Sequence, residues 1–305
     1  MNYFRNLSCL LFALACISSA TANTAIRAWS YLDGSTFTAM IMDWDAETDI
    51  VKLSDDAGKK TEIERSALSL SDQAYVRQWF DYRKKLDDKL KEMGGTMEYL
   101  QTAGTSQTDY YVYKPSTFKA DNTAPILILF SSSGTGYRMM LRHFEAAEKT
   151  GFVLVTADYF SNHTLDFHNK HGLAKESEDH FREMLPQLES ISHDPQKLFM
   201  GGDSGGALRA YMYSAAFDRP WAGIYANGGW LGRDYTMQCR TNMRVAMVNG
   251  HKDLAAIQSA KKDLDYLVDR RECTVALFSF EGGHQLATTD AQVEALNWLL
   301  GKSAE

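Results

Sequence analysis

The stretch Lys197-Leu198-Phe199-Met200-Gly201-Gly202-Asp203-Ser204-Gly205-Gly206-Ala207-Leu208 decides the fold. An apolar run enters Gly202-x-Ser204-x-Gly206, and apolar positions at helical spacing, Leu208, Tyr211, Met212 and Ala215, follow at once. Strand, sharp turn and helix in that order are the context of a nucleophile elbow, which holds a serine hydroxyl out for attack. So tight a turn leaves little room around the serine backbone, and Gly202, Gly205 and Gly206 meet that demand.

An acyl-transfer serine needs a base to take its proton and a carboxylate to orient that base. Met243-Arg244-Val245-Ala246-Met247-Val248-Asn249 reads as a buried strand, and the loop Gly250-His251-Lys252-Asp253 opens onto a helical stretch from Leu254. Asp253 is the candidate acid. Thr274-Val275-Ala276-Leu277-Phe278-Ser279-Phe280 reads as the next strand, ending in Glu281-Gly282-Gly283-His284 before a terminal helix. His284 is the candidate base. His251 and Lys252 read as exposed loop residues, Asp263 and Asp265 as the solvated face of a helix from Leu254 to Val268, and Glu281 as a loop carboxylate. The oxyanion of an acyl transfer also needs donors. Gly205, after the nucleophile, supplies one amide; the loop Ser131-Ser132-Ser133-Gly134-Thr135-Gly136, after the apolar run ending at Phe130, supplies the other through Ser133, with Ser132 the alternative.

Gly-Asp-Ser-Gly-Gly also surrounds the nucleophile of chymotrypsin-like proteases, but there the histidine and aspartate lie upstream and no helix follows. The order Ser204, Asp253, His284, each past the carboxyl end of its own strand, instead resembles the α/β-hydrolase superfamily. The rest of the chain from about residue 106 agrees. Strand-like runs at Tyr110 to Tyr113, Ile126 to Phe130, Phe152 to Thr156, Lys197 to Met200 and Trp221 to Ala226 alternate with helical ones, such as the face made by Met140, Phe144 and Ala147. Alternation of this kind predicts an α/β fold with a mostly parallel sheet flanked by helices. Thr289-x-x-Gln292 reads as the capping box of the last helix, with Val293, Leu296 and Leu300 on its buried face.

The compact size is similar to secreted esterases of the polyhydroxybutyrate depolymerase and feruloyl esterase type, although Ser131-Ser132-Ser133 stands where those enzymes commonly have His-Gly. The resemblance implies a serine carboxylesterase that works through an acyl-enzyme with no cofactor, on a small-molecule or polymer ester. A serine peptidase of the same fold and a non-catalytic cell-surface binding protein are the alternatives. Only Asn227 to Asn242 is available for a lid, so a large one is excluded, and Trp230 and Tyr235 in that segment are candidate pocket walls. His163, Asp166, His168 and His171 match no zinc signature, and no metal is expected.

Arg5 precedes the apolar run Leu10 to Ile17 and the small residues Ser18-Ser19-Ala20-Thr21-Ala22, which reads as a signal peptide over residues 1–22 cleaved before Asn23. The run is too short to span a membrane, and Ala13-Leu14-Ala15 is a poor triplet for lipoprotein anchoring at Cys16, so a secreted or periplasmic location is expected. Cleavage would remove one basic and no acidic residue, shifting the net charge from −7 to −8. No basic patch points to nucleic acid. Cys239 and Cys273 would remain, and in an oxidising compartment they form a disulfide candidate, with two separate buried thiols the alternative.

Residues 23–75 differ in texture: short β-prone runs at Phe37 to Met42, Ile50 to Leu53 and Thr61 to Ile63 are broken by Asp33-Gly34 and Asp56-Ala57-Gly58-Lys59. Arg27-x-Trp29, Gly34, Ala39, Val51-x-Leu53, Gly58-Lys59 and Leu70-Ser71-x-Gln73-x-Tyr75-Val76 resemble the SH3-like Sla-homology domain one. That likeness implies a small SH3-like β-barrel, with Trp29 and Trp44 in its core or on a peptide or glycan surface. Residues 76–105 read as a helical connector to a catalytic domain over 106–305.

Overall fold

Ile126-Leu127-Ile128-Leu129-Phe130 has no polar side chain to offer solvent, and in the computed structural model all five side chains are fully buried inside a sheet. The structure describes residues 27–55, 59–102, 109–121, 123–132, 136–157, 173–191, 194–231 and 239–302. Its strands are β1 (Arg27–Ser30), β2 (Thr36–Asp45), β3 (Ile50–Ser54), β4 (Lys60–Glu64), β5 (Thr96–Gln101), β6 (Asp109–Lys114), β7 (Ile126–Phe130), β8 (Val153–Thr156), β9 (Leu198–Asp203), β10 (Gly223–Asn227), β11 (Arg244–Gly250) and β12 (Thr274–Phe280). The helices are α1 (Leu70–Met93), α2 (Gly136–Leu141), α3 (Phe144–Thr150), α4 (Lys175–Leu188), α5 (Gly205–Ala216), α6 (Leu254–Asp265) and α7 (Thr289–Leu299).

The main sheet has eight strands in the order β12-β11-β10-β9-β7-β8-β6-β5. β12 through β8 run parallel, and β6 and β5 complete the edge antiparallel. One face packs Phe181, Met184, Tyr211 and Ala260 from α4, α5 and α6 against the sheet, and the other packs Met140, Phe144, Ala147 and Leu296 from α2, α3 and α7. Parallel strands need helical crossovers, so both faces are covered and the loops after β7, β9, β10, β11 and β12 emerge at the same end.

Several expectations change. Residues 96–101 are not part of a connector but an edge strand: Met97 is buried while Glu98 pairs outward with Lys114, the alternation of a sheet edge. α1 starts at Leu70, capped by Ser69, and ends at Gly94 in the left-handed region. It serves two cores, with Val76 and Trp79 packing on the N-terminal sheet and Leu86 on the main one. Met140, Phe144 and Ala147 fall on two short helices, separated at His143. The last helix is capped by Thr288, whose Oγ1 accepts from Ala291 N, while Thr289 binds Glu145. Val293 and Leu300 are only half-buried, and Ala295 and Leu299 join Leu296 in the core.

In the region read as an SH3-like barrel, β1 to β4 form a four-stranded antiparallel sheet in sequence order. Among the described residues β1 and β4 do not pair; the chain beyond β4 returns to β1 through Leu32 N to Ala67 O and Ser69 N to Ser30 O. Trp29 and Trp44 both sit in this sheet's core, and their indole N–H groups donate to Ala39 O and Asp49 Oδ1. The segment read as a signal peptide lies outside the described residues. Among those described, no helix is long and apolar enough to cross a membrane.

Candidate active site

Ser204 sits between β9 and α5 with φ 49° and ψ −117°, a conformation that costs a non-glycine residue on the order of 1–3 kcal/mol. The surroundings enforce it. A Cβ at Gly202 would stand 2.3 Å from Phe130 O, and one at Gly206 would stand 2.0 Å from the same atom, so β7 and the turn close on each other only through glycine. Ser204 N donates to Asn227 O on β10 at 2.8 Å. Gly205 is the first residue of α5, where helix geometry leaves amides without intrahelical partners, facing whatever sits above the serine.

Asp253 follows β11 and is 6 % exposed. It caps α6, with Oδ1 accepting from Ala256 N at 3.1 Å, which aims Oδ2 at the loop after β12. That loop is tied to the Asp253 loop by main-chain bonds, His251 N to Phe280 O and Lys252 N to Gly282 O. Gly250 is needed where the two loops meet, because a Cβ there would lie 2.4 Å from Gly283 O. His284 therefore stands between its partners: Nδ1 is 2.6 Å from Asp253 Oδ2, and Nε2 is 2.9 Å from Ser204 Oγ. With a proton on Nδ1 directed at the carboxylate, Nε2 can accept from the serine hydroxyl, and Asp253 would stabilise an imidazolium formed there.

The loop after β7 is anchored from below. Ser132 donates from N and Oγ to the Asp203 carboxylate at 3.2 and 3.1 Å, and the fully buried Arg209 donates to Ser131 O at 2.7 Å. Burial holds the Arg209 guanidinium below its ordinary pKa. The Ser132 amide, the alternative oxyanion donor, is engaged by Asp203. Ser133 lies outside the described residues, as do Tyr235 and the His163, Asp166, His168, His171 group. Trp230 is half-buried just past Gly228 and Gly229, the two residues that pass beside His284 and Ser204.

Solved structures share this architecture. The esterase LipW from Mycobacterium marinum matches with a TM-score of 0.54 at 11% identity, over 76% of this chain and 90% of that one. A bacterial heroin esterase matches with a TM-score of 0.53 at 15% identity, over 72% and 89%. The Staphylococcus aureus fluorophosphonate-binding serine hydrolase F matches with a TM-score of 0.52 at 14% identity, over 68% and 98%. The main domain has the α/β-hydrolase fold. No family model matches the sequence, and no curated protein does.

Within this α/β-hydrolase frame some residues behave unlike their sequence reading. Asp263 is not on a solvated face: it is 2 % exposed, accepts from Leu231 N at 2.7 Å, and burial pushes its carboxyl up to about 6. Asp265, by contrast, is exposed, as are His251 and Lys252. Cys239 and Cys273 are both buried free thiols in the structure. They touch each other, and the Cys239 thiol holds the Cys273 thiol below its ordinary pKa. Asn227, which no motif flags, is 1 % exposed and bonded to the loops on both sides; the available signal was a polar residue closing the apolar run Gly223-Ile224-Tyr225-Ala226.

Proposed function

We propose that the protein is a serine carboxylesterase in which Ser204 attacks an ester carbonyl, His284 takes and later returns the proton, and Asp253 orients His284. The observation that carries this reading is the hydrogen-bonded chain from Ser204 Oγ through His284 to Asp253 Oδ2, with the serine on a strained turn. Structural neighbours named as esterases and serine hydrolases support the class. The Gly205 amide, with one from the segment at Ser133, receives the oxyanion, and water releases the acyl group. The short connection between Asn227 and Asn242 favours short or accessible acyl groups over long buried chains. Residues 1–22 act as an export signal and residues 23–75 as an SH3-like module beside the enzyme. A fluorophosphonate adduct mapped to Ser204, absent in His284→Ala, together with hydrolysis of short-chain nitrophenyl esters, is the expected result. Folded protein that neither labels nor hydrolyses the esters overturns the proposal, and intact exported protein retaining residues 1–22 overturns the signal.

A further inference from the structure

We infer that Asn227 is the positioning residue that sets His284 against Ser204, an inference that rests on the reading of those two as the reacting groups. β10 delivers Asn227 between the elbow strand β9 and the acid strand β11, in register with Asp203 on one side and Val248 on the other. Its main-chain oxygen accepts from Ser204 N at 2.8 Å and so fixes the serine turn. Its side chain reaches the opposite partner: Nδ2 donates to Gln285 O at 3.0 Å, and Oδ1 accepts from Ala287 N at 2.7 Å. One buried residue thus holds the nucleophile by its backbone and the histidine loop by its amide.

The histidine loop needs such a hold. Gly282 and Gly283 precede His284 and bring no side chains to pack, Gly282 stands at φ 155°, and the His284 side chain is 49% exposed. On the other side the ring faces Gly228, the next residue after Asn227, where a Cβ would come within 3.5 Å of Cε1 and Nδ1. Its bond to Asp253 sets the tilt of the imidazole; the main-chain ties at Phe280 and Gly282 hold the loop before His284, and the Asn227 bonds to Gln285 and Ala287 hold it after. Gln285 O and Ala287 N ask for one donor and one acceptor on a single short side chain. Asparagine meets both. Leucine meets neither, and an ionised aspartate meets Ala287 N while turning an oxygen toward Gln285 O. A protonated aspartic acid restores both bonds.

The test compares wild type, Asn227→Leu, Asn227→Asp and the exposed-site control Lys60→Ala, in the N-terminal sheet, by short-chain ester kinetics and by the low-field proton resonance of His284 Nδ1–H. The leucine variant is expected to lose kcat by about tenfold to a hundredfold with KM little changed, because substrate contacts are untouched and reacting atoms are displaced. Its low-field resonance should broaden or shift, while Lys60→Ala keeps wild-type kcat and resonance. The aspartate variant covers the case of a leucine variant that does not fold: its melting temperature should approach that of wild type as pH falls and the new carboxyl protonates, and its resonance should return with it. A folded leucine variant with wild-type kcat and an unmoved resonance overturns the inference, as does an aspartate variant whose resonance stays at the wild-type position at every pH. Wild type without ester turnover would instead overturn the esterase reading, and the resonance would still decide the role of Asn227.

Discussion

The carboxyl end of the main sheet and the four-stranded N-terminal sheet differ in how far they rely on buried polar residues. Around Ser204, the polar side chains Asp253, Arg209 and Asn227 are almost wholly buried and bond largely to main-chain groups of neighbouring loops. In the N-terminal sheet, Arg65 pairs with Asp49 at the half-exposed rim around a core led by Trp29, and the buried carboxylate that ties α1 to β1, Asp72, accepts from the Arg27 side chain, Ser30 N and Ser69 Oγ. Burial of a polar group costs free energy unless each atom is satisfied, so the first arrangement gives up stability to fix geometry. The second is that of an ordinary small domain, where apolar area stabilises and rim charges contribute little. Substitutions in the two regions should therefore separate: turnover falls with little unfolding in one, and stability falls with little loss of turnover in the other.

The largest expected effect breaks chemistry alone. Ser204→Ala should lower ester turnover by about 10⁴-fold or more, while relieving a strained residue only if the alanine relaxes, so the melting temperature should hold or rise slightly. Steady-state kinetics with a thermal scan checks both halves, and a variant with surviving turnover would move the nucleophile elsewhere. Gly206→Ala comes next and breaks the frame instead. Its Cβ would meet Phe130 O at 2.0 Å, main chain against main chain, and nothing flexible can yield. A loss of about 4 kcal/mol or more in chemical denaturation is expected. On the other side of the comparison, Trp29→Ala should cost about 3–5 kcal/mol in the N-terminal sheet, since its fully buried ring packs on Phe37 and Tyr75. Ester turnover at a temperature where the main domain is folded should stay within about twofold of wild type; a large drop would show that the two regions are coupled through α1.

What could be read in advance follows from how local each cause is. The meeting of Ser204, Asp253 and His284 was legible because each stands just past a strand end, and strand ends show as breaks in apolar runs. The elbow glycines were legible for the same reason, since the crowding is local to the turn. Asn227 was not, because Gln285 and Ala287 come from a loop 58 and 60 residues away and nothing in β10 itself announces them. Asp263 misled by periodicity: a carboxylate spaced along an amphipathic helix reads as surface, and only the Leu231 amide arriving from a distant loop gives it a buried partner. β5 was hidden by its position after a charged helix and two glycines, where edge-strand alternation is a weak signal beside a long helical pattern. The N-terminal strands showed their runs and breaks, but whether four short strands close on themselves depends on contacts no single run carries.

The smaller predictions sharpen the contrast through pH. Burial raises the Asp263 carboxyl from its ordinary 3.8 to about 6, so between those values the folded state binds more proton than the unfolded one. The neutral group costs nothing below about pH 4, and the stability it allows is lost as pH rises through about 6. Asp263→Asn keeps an acceptor for Leu231 N and removes the titration. It should be more stable than wild type by about 2–3 kcal/mol at pH 7.5 and equal to it near pH 4, as read by denaturant midpoints across that range. An unchanging difference would mean that Asp263 does not titrate between the two. Asp49 in the N-terminal sheet has the opposite sign. Arg65 donates to it from Nε at 2.7 Å and holds its carboxyl below the ordinary value, so its contribution is present above about pH 4 and is lost as pH falls through the lowered pKa. The pair is half-exposed and screened, so Arg65→Ala should cost only about 1 kcal/mol at pH 7 and progressively less in acid. Added salt should shrink that cost while leaving the Asp263→Asn difference in place, because one charge faces solvent and the other does not.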